Sequence, residues 1–62
     1  MLINAARAEC EMFDVLIVEA ERYRGTVSDE TARDSISEIL ERLDEMREGA
    51  RGRLDRLGQD LV

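Results

Sequence analysis

The spacing of apolar residues in the second half of the chain constrains the fold more than any other feature. Ile36, Leu40, Leu43, Ala50, Leu54, Leu57 and Leu61 settle into a heptad that does not slip, with Arg47 as the one polar residue in the row. Such a row is the seam of a helix packed lengthwise on another. Ala32, Ile39 and Met46 widen it in its first half only. Gly49, Gly52 and Gly58 interrupt the segment, and a glycine in a helix interior costs about 1 kcal/mol. All three lie off the row, and its phase continues across them. The pattern predicts one long helix over residues 29–58, with 49–52 the place where it could bend; the alternative is a break there and a short third helix near residues 52–60.

Residues 2–24 also carry a helical period. Leu2, Ala5, Ala6, Met12, Phe13, Leu16, Ile17, Ala20 and Tyr23 share one broad face, with Cys10 at its edge and Glu9 near its centre. Val15 and Val18 give the helix a second, partly apolar side. Residues 25–28 read as the turn. Gly25 suits the left-handed position that ends a helix. Ser28 suits the N-cap of the next helix, and Asp29 and Glu30 its first turn. A connection this short makes the helices antiparallel neighbours. The expected fold is all-α: one domain over residues 1–62, an antiparallel hairpin with a long heptad-patterned second helix. A three-helix mini-bundle is the alternative.

Size then demands a partner. A chain of 7.1 kDa exposes about 10,300 Å² unfolded and about 4,100 Å² when compact. Burying the apolar share of that difference yields about 90 kcal/mol, and ordering the residues costs about as much. With one Cys and no His the chain has neither an internal disulfide nor a structural zinc site to make up the balance. A turn at residue 26 would set residue 2 opposite residue 51, leaving Leu54, Leu57 and Leu61 beyond the end of the first helix. These three leucines are the expected oligomer interface, in a homodimer that forms a four-helix bundle.

Glu9 and Arg47 are the two polar residues on otherwise apolar rows, and the same register sets them about one turn apart. They are expected to form a buried ion pair that fixes register. On that expectation, replacing Arg47 alone would strand Glu9 and destabilise the fold.

Other chemistry is thin. Glu38, Glu41, Asp44, Glu45 and Glu48 have spacings found in di-metal helical sites, but they face outward and no His accompanies them, so no metal or other cofactor is expected. Cys10 lacks an activating base and reads as a buried small hydrophobe. Phosphate-binding loops, catalytic serine arrangements and zinc patterns are absent, so no enzymatic activity is expected. The stretch Glu19-Ala20-Glu21-Arg22-Tyr23-Arg24-Gly25-Thr26-Val27-Ser28 resembles the hairpin of HEPN-type ribonuclease domains. The resemblance implies no ribonuclease activity, because the Arg…His motif that carries it has no His here.

The formal net charge of −6 disfavours nucleic acid as a partner. All nine basic residues are Arg, which reads as the codon usage of a GC-rich genome. The run Val15-Leu16-Ile17-Val18 is too short to span a membrane. The first residues do not read as a signal peptide, and a cytoplasmic setting suits a free thiol. The expected function is a non-enzymatic, acidic, self-associating module that presents a helical surface to a protein partner. The alternative is a phage- or antitoxin-type inhibitor of a nucleic-acid-processing or defence protein.

Overall fold

The computed structural model describes residues 2–60. It holds two helices, α1 (Leu2–Thr26) and α2 (Glu30–Asp60), packed against each other as an antiparallel hairpin. No strand occurs among the described residues. α2 runs unbroken through Gly49 and Gly52, so the break and the third helix are absent. The seam explains this: the apolar row keeps its phase across both glycines, and continuous packing on α1 offsets their poor propensity.

The connection departs from the expected one in two details. Gly25 has no positive φ; it lies inside α1, which ends one residue later. Thr26 closes that end: its Oγ1 donates to the Tyr23 carbonyl at 2.8 Å, and the Val27 N–H reaches the Arg24 carbonyl at 3.3 Å. Arg24 in the last turn suits the helix dipole. Asp29, not Ser28, caps α2. The Ala32 N–H donates to Asp29 Oδ2 at 3.0 Å, and the Arg33 N–H donates to the Asp29 carbonyl at 3.0 Å. A carboxylate there satisfies an orphan donor and meets the positive end of the dipole.

The core is a single seam. Cys10, Phe13 and Ala50 form its centre, with Leu43 and Leu54 packed against them, and Ile17 is buried further towards the turn. Ala50 is fully buried, the small residue that lets the helices approach beside Phe13. On α1 the inward row runs Ile3, Ala6, Cys10, Phe13, Ile17 and Ala20, all buried or half-buried. On α2 it is the predicted row, Ile36, Leu40, Leu43, Arg47, Ala50, Leu54 and Leu57, likewise buried or half-buried.

The result is a rod. Its Cα atoms span 49 × 14 × 11 Å, with a radius of gyration of 14.6 Å, where a globule of this length would have about 10.6 Å. The accessible surface is 4926 Å², about 800 Å² more than a compact protein of this mass exposes.

Candidate functional site: an exposed apolar flank

Ion pairs mark the two long sides of the hairpin. On one side, Arg53 donates to Glu9 across the helices. On the other, Arg47 Nη1 donates to Asp14 Oδ1 at 3.3 Å, and Arg51 lies 3.9 Å from the same oxygen. Arg47 Nη2 also donates to Asp44 Oδ1 at 3.0 Å, within α2.

These contacts correct the expected Glu9–Arg47 pair. Within the chain the two residues take different partners: Glu9 pairs with Arg53, while the Arg47 guanidinium reaches Asp14 on the other long side of the hairpin. No charged or polar residue is buried among the described residues. Glu9 is not at the centre of the apolar face because that face is two adjoining rows. One, through Cys10, Phe13 and Ile17, packs on α2. The other, through Leu2, Glu9, Leu16 and Tyr23, does not. Averaged on one helical wheel, the two rows put Glu9 between them. Arg47 does occupy the seam. Its side chain is 26% exposed, and its Nε is buried without a hydrogen-bond partner.

The register also differs from the expected one. Glu9 lies opposite Arg53, so Leu54 is covered by α1 and packs on the Cys10–Phe13–Ala50 core, and Leu57 is half-buried. Ile3 and Arg7 line a shallow groove with Leu54, Asp55, Gly58 and Gln59, so α1 extends alongside the end of α2. The overhang that made Leu54 and Leu57 an interface is therefore missing; Leu61 lies outside the described residues. Two causes shift the register. The chain reverses over residues 27–29 rather than at 26. Side chains also lean towards their own helix N-terminus, so an α2 residue reaches back towards the turn to meet its α1 partner.

The flank marked by Glu9 and Arg53 carries most of the exposed apolar bulk. Seven-residue steps from Glu9 reach Leu2, Leu16 and Tyr23, and the same steps back from Arg53 reach Met46 and Ile39. All five are exposed, Tyr23 at 63% and Met46 at 54%, and exposed Met12 follows the same side of α1. The Glu9–Arg53 register sets Leu16 opposite Met46 and Tyr23 opposite Ile39. The flank is thus a ladder of apolar pairs, with an ion pair towards the open end. Val15 and Val18 are also exposed but lie away from it, on the outer side of α1.

The outer side of α2 has the opposite character. Asp34, Glu38, Glu41, Glu45, Glu48 and Asp55 follow one another along it, all exposed. These six acids equal the whole formal net charge of −6, and the other nine acids are balanced by nine Arg. No group of acids or Cys among the described residues is arranged to hold a metal ion. Cys10 is free and buried in the seam. Among the described residues no helix is long and apolar enough to cross a membrane.

No protein-family model, curated protein or solved structure matches this chain.

Proposed function

We propose that this chain is a non-enzymatic helical interaction module that works by presenting one flank of its hairpin to another polypeptide. The apolar ladder of Leu16, Tyr23, Ile39 and Met46 carries this reading, since a single-seam rod leaves these side chains in water. Contiguous exposed apolar surface of this kind marks protein contact sites. The test is photo-crosslinking in cells that make the protein, with a benzophenone side chain in place of Tyr23 and, in a parallel strain, of Val18. The reading expects polypeptide adducts at position 23 well above those at position 18. Equal or absent adducts would overturn it.

A second reading, an inhibitor that occupies the basic groove of a nucleic-acid-processing or defence protein, draws support from the acidic ridge on α2. A continuous row of carboxylates offers such a groove a charge pattern like that of a phosphate backbone. It predicts binding that weakens steeply with salt and is abolished by Glu41→Arg with Glu45→Arg. The ladder reading predicts that those two changes leave the position-23 adducts in place.

A further inference from the structure

We infer that the occupant of the apolar flank is a second copy of this chain, docked flank to flank as a four-helix bundle. The inference rests on the interaction reading above and names its partner.

Three observations point to a second copy. The first is area. The rod exposes 4926 Å², about 800 Å² beyond a compact protein of its mass, and about 800 Å² is what each partner buries in a standard interface. One further hairpin laid along the flank removes the deficit and turns two single-seam rods into one two-layer core. The second is charge. The net charge is carried by the ridge on the outside of α2, whereas the flank holds Glu9 and Glu19 against Arg42, Arg53 and Arg56. A copy therefore meets a nearly balanced surface, and both acidic ridges stay in water. A foreign partner selected by charge would be drawn to the ridge instead.

The third is pattern. The flank row of α1, Leu2, Ala5, Glu9, Met12, Leu16, Glu19 and Tyr23, alternates steps of three and four, as the inner row does. A helix with two adjoining rows of this kind fits a bundle in which it touches two neighbours.

Sedimentation equilibrium tests this on the full chain and three variants, each checked for helicity by circular dichroism. Leu16→Glu and Met46→Glu place a charge on the flank; Val15→Glu places one at a comparably exposed apolar site off it. The unmodified chain is expected at twice 7.1 kDa at high micromolar concentration. Leu16→Glu and Met46→Glu are each expected to weaken association about 100-fold or more, because the bundle would bury the new charge. Val15→Glu is expected to associate like the parent. A parent that stays at 7.1 kDa throughout overturns the inference. So does a Val15→Glu chain that dissociates as readily as Leu16→Glu, or association that survives both flank variants. A monomeric parent that still gives position-23 adducts with another protein would sink the second copy and keep the interaction reading. A monomer without adducts would sink both.

Discussion

Replacing Arg47 by Leu should stabilise the hairpin. Arg47 sits on the α2 seam between Leu43 and Ala50, its side chain 26% exposed and its Nε buried without a partner. The change removes its contacts with Asp14 and Asp44, at 3.3 and 3.0 Å. Both acids are about half exposed and return to water. Pairs of this kind are worth about 0.2–1 kcal/mol each, so roughly 1 kcal/mol is lost. Relief of the orphaned Nε returns about 1–3 kcal/mol. The Arg stem already covers the apolar neighbours, so Leu adds little further burial. The net effect is a gain of about 1 kcal/mol, or about 4–8 °C in Tm for a domain of this size. Glu9 keeps Arg53 throughout, so no carboxylate is stranded. Far-UV circular dichroism melts at matched chain concentration measure the difference, with Arg47→Ala as a control that should fall below the parent because the stem is lost. A drop of several degrees for Arg47→Leu would mean that the Arg47 ion pairs hold the hairpin together, and the reasoning would fail.

Three further substitutions test the local physics. Phe13→Ala empties the centre of the seam and should cost about 3–5 kcal/mol, enough to abolish the cooperative melt; a transition within a few degrees of the parent would contradict the assigned core. Asp29→Ala should cost about 1 kcal/mol, and Ser28→Ala distinctly less, in paired urea titrations; the reverse order would return the cap to Ser28. Gly25→Ala should raise stability by about 1 kcal/mol, since the residue is helical with open space around its Cα; a loss would indicate a left-handed glycine at the end of α1.

The α2 seam was legible in the sequence because one apolar row of heptads has one phase, and each of its residues from Ile36 to Leu57 is buried or half-buried in the structure. The face of α1 was not, because two apolar rows lie side by side and periodicity alone does not say which one the neighbour takes. Cys10 decides it: its burial matches the sequence reading, but it lies at the centre of the packed row beside Phe13 rather than at the edge, while Met12 and Leu16 stay exposed. On α2, Ile39 and Met46 read as a widening of the seam, yet both are exposed and stand in step with Arg53. The ion pairs were misassigned for a related reason. Register depends on where the turn ends and how far side chains lean, and an error of about two helical turns exchanges Arg47 for Arg53 as the partner of Glu9. The same error created the overhang of Leu54 and Leu57. The exposed flank follows only from the register, because Glu9–Arg53 places Leu16 beside Met46.

The most direct measurement is an isotope-filtered nuclear Overhauser experiment on an equal mixture of labelled and unlabelled chain at high micromolar concentration. The account predicts cross-peaks between chains among the methyl groups of Met12, Leu16, Ile39 and Met46, and none from Val15 or Val18. Their absence from the flank, or their presence only at Val15, Val18 or Leu57, would contradict it.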